Sequence, residues 1–271
     1  MQIGFFQFEP KFGDVQSNIN KVEQALGAVD ADLIVLPELF STGYQFVSRE
    51  EAFELAEEIP GKTTKRLIEI AADKKMHIAA GLAERSKNQT FNSAVLVGPG
   101  GLISAYRKTH LFDEELLWFI PGGTGFSVHD IGKARVGLMV CFDWMFPESA
   151  RTLALKGAQI ICHPSNLVLG TCEEAMITRC LENRVFAITA NRTGTEQRGG
   201  KSALRFTGRS QVVSPRGVRL CSAGPEEAAV KIVEIDPTDA DNKRVATYSD
   251  LFAERKPGFY GDITDGSMRL D

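Results

Sequence analysis

Near the N-terminus the hydrophobic pattern switches from continuous to helical and back. The opening QIGFFQF is a nearly unbroken apolar run and predicts a strand. Residues 14–30, DVQSNINKVEQALGAVD, instead space Val15, Ile19, Val22, Leu26 and Val29 four, three, four and three apart, which sets them on one face of a helix. DLIVLP then predicts a short strand covered on both sides and stopped by Pro37.

Two helices are predicted next, over 49–58 and 62–74, followed by three β-like runs, MHIAAGLAER, FNSAVLV and LISAYR. GPGG joins the last two as a hairpin turn. Further strands are expected near 125–129 and 134–140, then a helix from Pro147, where the missing N–H of proline costs nothing. Strand AQIICHP, helix 173–184, strand VFAITAN and the antiparallel-looking RSQVVSPRGVRLC and AAVKIVEID complete the pattern. Strand–helix–strand units mixed with hairpins predict mixed sheets carrying helices on both faces. Residues 237–271 are polar and predicted to be extended, free or packed on a partner subunit. Gly122-Gly123-Thr124-Gly125 lacks the strand-to-helix setting of a phosphate loop and is assigned to a connecting loop.

The 271 residues contain no linker-like run, which favours one large α/β domain, and 43% hydrophobic residues supply a sizeable core. A net charge of −4 with no cationic cluster argues against nucleic acid and turns attention to small-molecule chemistry. The five cysteines, at 141, 162, 172, 180 and 221, are odd in number and scattered, which fits a reducing compartment better than a disulfide framework. MQIGFFQFEP has no cationic start and meets Glu9 early, so neither a secretory signal nor a membrane span is expected and the protein is assigned to the cytoplasm.

An acid, a cation and a thiol follow three of the predicted strands. Glu38 comes after DLIVLP, Lys108 after LISAYR and Cys141 after ARVGLMV. Ligands of open α/β sheets bind beyond the carboxyl ends of strands, where loops converge. Each residue alone has a bland explanation: a solvated carboxylate, a solvated lysine, an inert core thiol. Together they compose a hydrolase, in which a lysine lowers the pKa of a thiol nucleophile, a carboxylate shuttles protons, and the lysine and the Phe142 N–H stabilise an oxyanion. His110 and His163 are rival bases for a Cys–His pairing. Cys162, His163, Cys172 and Cys180 lack a metal-ligand spacing.

The segments LIVLPELFSTGY around Glu38, YRKTHLF around Lys108 and VCFDWMFPESARTLALKGAQIICHPSN around Cys141, continued by TRCLENRVFAITANRTG, resemble the nitrilase superfamily of carbon–nitrogen hydrolases over almost the whole chain. The resemblance implies a four-layer αββα sandwich within a single domain, 1–262, and a Glu–Lys–Cys triad with no metal and no organic cofactor. Glu38 is then the general base and acid, Lys108 the stabilising cation and Cys141 the nucleophile that forms a thioester. A second glutamate holding the lysine is expected in KTHLFDEELLWFIPGG, where Glu114 and Glu115 are candidates and alignment on HLF and PG favours Glu115. Cys141-Phe142-Asp143 differs from the Cys-Trp-Glu of the nitrilase branch, so a small amide or N-carbamoyl compound is the first expected substrate and a nitrile the second; a non-catalytic scaffold is the different-class alternative. Tyr44, Phe142, Trp144 and Asn166 are expected to line the acyl site, and Arg192 to meet either a substrate carboxylate or a structural acid. The resemblance also implies a homodimer or higher homo-oligomer formed through helices 147–157 and 173–186 and the 237–271 extension.

Overall fold

Strict alternation within the strands decides how the layers stack. In β1 (Gln2–Gln7) Ile3 and Phe5 enter one apolar cluster while Phe6 enters another, and in β2 (Leu33–Val35) Leu33 and Val35 separate from Ile34 in the same way. The computed structural model, which describes residues 1–265, resolves this alternation into four layers. The Ile34 side is covered by α1 (Val15–Gly27) and α3 (Lys62–Lys74), the Leu33 side by a second sheet.

The first sheet runs β14–β1–β2–β3–β4–β5, with β3 at His77–Ser86, β4 at Gln89–Gly98, β5 at Gly101–Arg107 and β14 at Ala229–Glu234. Helix α2 (Arg49–Leu55), capped by Ser48, precedes α3, and the single-turn α4 (Glu115–Trp118) follows β5. The second sheet runs β13–β12–β9–β8–β7–β6, made from β6 (Val128–Asp130), β7 (Arg135–Leu138), β8 (Ile160–Pro164), β9 (Phe186–Ala190), β12 (Gln211–Val213) and β13 (Arg219–Ser222). Helices α5 (Pro147–Leu155) and α6 (Cys172–Asn183) belong to this half, and their buried Ala150, Leu153, Met176 and Cys180 join its core. Parallel pairs (β1–β2–β3 and β7–β8–β9) form the centre of each sheet and antiparallel strands the rims. Two short hairpins complete the elements, β10 (Thr195–Glu196) with β11 (Leu204–Arg205), and β15 (Arg244–Ala246) with β16 (Ser249–Asp250). This is the expected αββα sandwich.

The C-terminal extension departs from the expectation. Up to residue 265 it folds as a 3-10 turn at Pro237–Ala240, the β15–β16 hairpin and two more 3-10 turns. The cause is local: Asp236 caps Thr238, and the Asp250 carboxylate accepts from the N–H groups of Phe252 and Ala253. Residues 266–271 of the predicted interface lie outside the described residues. Among the described residues no helix is long and apolar enough to cross a membrane.

Gly81 links the fold to the site. It lies in β3 beneath the loop after β2, exchanging hydrogen bonds with Pro37 O (3.1 Å) and Phe40 N (3.2 Å). A Cβ there would sit 2.4 Å from the Cα of Glu38 and 2.9 Å from Leu39 N, both backbone atoms that cannot rotate aside. Gly81→Ala is therefore expected to cost about 1–3 kcal/mol, roughly 3–8 °C in Tm by calorimetry. An unchanged Tm would show that the loop yields freely.

Candidate active site

Each candidate side chain is fixed by the backbone that carries it. Beyond β2, Leu36 N still bonds to Ala79 O (2.8 Å), Pro37 ends the ladder, and Leu39 at φ 47° turns the chain back so that Thr42 N and Gly43 N both reach Leu39 O. Glu38 is left at the sheet end with no solvent exposure. Lys108 is pinned on both sides, its N–H on Asn92 O and its carbonyl under Gly122 N, each at 2.8 Å. Helix α4 starts when Glu115 N bonds Phe112 O (3.0 Å), which turns the Glu115 carboxylate inward.

These placements enclose one ammonium between two carboxylates. Lys108 Nζ donates to Glu38 Oε1 at 2.7 Å and to both oxygens of Glu115 at 2.8 Å. Asn92 Nδ2 donates to Glu38 Oε1 (2.7 Å) and more weakly to Glu115 Oε2 (3.4 Å), while Tyr44 OH donates to Glu115 Oε1 (2.8 Å). Burial works against the Lys108 charge, but Glu115 and Glu38 outweigh it and hold its pKa well above that of an ordinary lysine. Burial lifts Glu115 to about 7; Lys108 pulls it down and Glu38 pushes it up. Glu38 Oε2 is the exception: it is buried and has no hydrogen-bond partner among the described residues.

Cys141 arrives from the other sheet. It opens a 3-10 turn, Cys141–Met145, in the left-handed region at φ 40°, a conformation that non-glycine residues adopt rarely and that clusters at functional sites. Buried Asp143 holds this turn, accepting from Val140 N (2.8 Å), Tyr106 OH (2.8 Å), His110 N (3.2 Å) and His110 Nδ1 (2.8 Å). Tyr106 and His110 flank Lys108 by two residues on either side, so one carboxylate fastens the lysine segment to the cysteine turn. The sequence expectation for the thiol is corrected in one respect. Lys108 does favour the thiolate, but burial and then Glu38 outweigh it and raise the Cys141 pKa well above that of a free thiol. Cys141 rests as a thiol, and an unpaired carboxylate oxygen nearby is the group suited to deprotonate it.

Phe112, Phe142, Trp144 and the run Asn166–Leu169 line a narrow cleft with Cys141; the larger surface concavities lie elsewhere. Neither polar side-chain atom of buried Asn166 has a hydrogen-bond partner among the described residues. Phe142, second in the 3-10 turn, keeps an N–H with no partner inside that turn. Tyr44 stands one step back, on Glu115. Of the two glutamates, Glu114 pairs with Lys201 (2.7 Å) at the surface and Glu115 meets Lys108. Arg192 is buried in an ion pair with Glu196 and stacked 4.0 Å over Phe206, an arrangement that leaves it structural. Neither rival histidine bonds the sulfur: His110 faces Asp143, and His163 faces the Cys141 carbonyl at 2.9 Å. No three His, Cys, Asp or Glu among the described residues are grouped to hold a metal. Sequence reasoning missed Asn92, whose signal was a lone amide inside the apolar run FNSAVLV, and missed the clamping role of Asp143.

His163 gives a pH signature. Burial pushes it down to about 4, against the opposing pull of the Cys141 carbonyl and Asp143, while the unfolded chain titrates near 6.5. A depressed folded pKa contributes stability that is present above pH ~6.5 and lost as pH falls toward 4. Denaturant titrations should show roughly 2–3 kcal/mol lost between pH 7 and 4.5 on this account, and His163→Gln should flatten that loss. Parallel pH profiles for the two proteins would rule out the histidine as its source.

Comparison with known proteins places this geometry in a family. The family model for carbon-nitrogen hydrolase matches residues 2–244. A protein called nitrilase from Pyrococcus abyssi is 46% identical over 264 residues, 96% of this chain and 99% of that one. A solved carbon-nitrogen hydrolase from Helicobacter pylori superposes with a TM-score of 0.88 at 27% identity, covering 99% of each chain. A solved amidase variant from Nesterenkonia sp., in which acrylamide has added to the active-site cysteine, superposes at 0.79 and 27% identity, covering 97% of this chain and 99% of that one. The chain, with its acid, lysine and thiol converging from two sheets, belongs to the carbon–nitrogen hydrolase family of the nitrilase superfamily and is a carbon–nitrogen hydrolase.

Proposed function

We propose that the protein hydrolyses small amides or N-carbamoyl compounds with release of ammonia, using Cys141 as nucleophile, Glu38 as proton shuttle and Lys108 with Glu115 as the charged support. The observation that carries this reading is the buried, unpartnered Glu38 Oε2 in the same charge cluster as a thiol held at a strained turn. The Cys141 proton passes to Glu38 as sulfur attacks the carbonyl carbon. The resulting oxyanion is met by the Lys108 ammonium and the Phe142 N–H. Glu38 returns the proton to the nitrogen, ammonia leaves, and a thioester remains. Glu38 then takes a proton from water, hydroxide adds to the thioester, and collapse frees the acid and restores the thiol. No step requires a metal or an organic cofactor. Tyr44 and Asn92 keep Glu115 and Glu38 in place; Trp144 and Asn166 bound the acyl group.

A nitrile is the second reading, favoured by the name of the Pyrococcus abyssi relative. Attack on a nitrile carbon gives a thioimidate, and water added to it releases ammonia and joins the same acyl-enzyme. The Phe142-Asp143 pair after the nucleophile and the amidase among the solved relatives favour the amide. An ammonia-release screen over small amides, N-carbamoyl amines and nitriles ranks the classes. Cys141→Ala should retain the fold and lose at least ~10³-fold in rate, and Glu38→Gln should lose at least ~10²-fold, since both formation and hydrolysis of the thioester pass a proton through Glu38. Near-normal ammonia release by Cys141→Ala would end the proposal.

Self-association is part of the same reading. Leu155 of α5, Leu181 of α6, and Tyr248, Phe259 and Ile263 of the C-terminal extension are exposed large hydrophobic residues, and Tyr248 is 96% exposed. The wild type is expected to be a dimer or larger by light scattering, and the double substitution Tyr248→Asp, Phe259→Asp to shift it toward monomer. A monomeric wild type would remove this surface from consideration.

A further inference from the structure

His163 is a buried titratable group that the proposed reaction leaves unused. It lies in β8 with no solvent exposure, and burial keeps its ring uncharged in neutral solution. A buried imidazole is tolerated where both ring nitrogens are satisfied, and here both are. Nε2 lies 2.9 Å from Cys141 O and 3.1 Å from Ser165 Oγ, while Nδ1 lies 3.1 Å from Oγ1 of Thr189, the residue opposite His163 in β9. A carbonyl can only accept, so Nε2 carries the proton, and Nδ1 is left to accept from the Thr189 hydroxyl. One line of hydrogen bonds thereby runs from β9 through β8 to the turn that opens at Cys141.

The line ends on the peptide that follows the nucleophile. Its carbonyl belongs to Cys141 and is held by His163; its N–H belongs to Phe142 and has no hydrogen-bond partner among the described residues. The peptide is trans, so the two groups point in opposite directions, and fixing the carbonyl toward His163 aims the N–H away from it. Turning this peptide over would set the Phe142 N–H against the Nε2–H, donor facing donor. The Nε2–H tautomer therefore admits one orientation of the peptide and opposes the other. Donation to the carbonyl also polarises the amide and makes its N–H the stronger donor.

We propose that His163 is a positioning residue for the oxyanion site: through the Cys141 carbonyl it holds the Phe142 N–H toward the reacting oxygen, and Thr189 keeps His163 in the tautomer that does so. The assignment rests on the reading of Cys141 as nucleophile and of the Phe142 N–H as oxyanion donor. It divides the labour of the site. Proton removal from the sulfur runs through Glu38, whereas part of the stabilisation of charge on oxygen runs through His163.

Two reagents separate these properties. p-Nitrophenyl acetate and methyl methanethiosulfonate both react with a cysteine sulfur, but attack on the ester alone develops an oxyanion. Each is followed as its Cys141-dependent rate, with Cys141→Ala as the blank. His163→Leu should lower the ester rate about tenfold or more and leave the methanethiosulfonate rate within about twofold. His163→Gln, which keeps an N–H donor at the reach of Nε2, should restore the ester rate to within about threefold of wild type. Thr189→Val should slow the ester about threefold and Thr189→Ser should not, a comparison that decides the matter even if His163→Leu fails to fold by circular dichroism. An unchanged ester rate in His163→Leu, a fall shared equally by both reagents, a His163→Gln as slow as His163→Leu, or a Thr189→Val no slower than Thr189→Ser would overturn the role of His163 and leave the amidase reading standing. Equal ester rates for wild type and Cys141→Ala would overturn the nucleophile itself, and the oxyanion assignment with it.

Discussion

Lys108 carries a full positive charge where water does not reach, and much of the site follows from what that charge requires. An isolated buried ammonium would lose its proton, so the fold supplies two carboxylates within 2.8 Å. Two acids against one base leave an excess of negative charge. Burial, with the charge of Glu38 added to it, pushes the Cys141 thiol up and lifts Glu115 to about 7, and one Glu38 oxygen is left without a hydrogen-bond partner among the described residues. The proposed nucleophile is therefore kept protonated until a substrate arrives to share the charge, a condition opposite to that of a cysteine activated in advance by a cation.

The groups obey a second constraint, that they come from different sheets. Glu38, Asn92 and Lys108 belong to the first, Cys141 and Asn166 to the second. Packing of the two inner faces brings them to the same depth, but fine alignment needs a tie across the gap. Asp143 provides it through Tyr106 and His110. His110 also stacks on Phe146, 3.7 Å between ring centroids, so the tie is packed as well as hydrogen-bonded.

Much of this was legible in the sequence, because strands and helices announce themselves by period. Val15, Ile19, Val22 and Leu26 predicted α1, and the apolar runs before Glu38, Lys108 and Cys141 located three strand ends. The choice between Glu114 and Glu115 was not legible from period, since a single turn of helix has none to read; it came from motif resemblance. The direction of the Cys141 pKa was also out of reach: Lys108 and Glu38 act on the thiol with opposite signs, and only distance and burial decide between them. Asn92 escaped because alternation in a strand buried on both faces marks no residue as functional. The C-terminal extension looked polar and therefore extended, but Asp236 and Asp250 use that polarity to bond their own backbone.

The seam between the sheets has a consequence for how the molecule fails. Since half of the proposed machinery hangs from each sheet, a small slippage of one against the other separates acid from thiol long before either sheet melts. Heat, denaturant or pressure should silence turnover while circular dichroism still reports full secondary structure, so that enzymatic output becomes the most sensitive strain gauge the sandwich possesses.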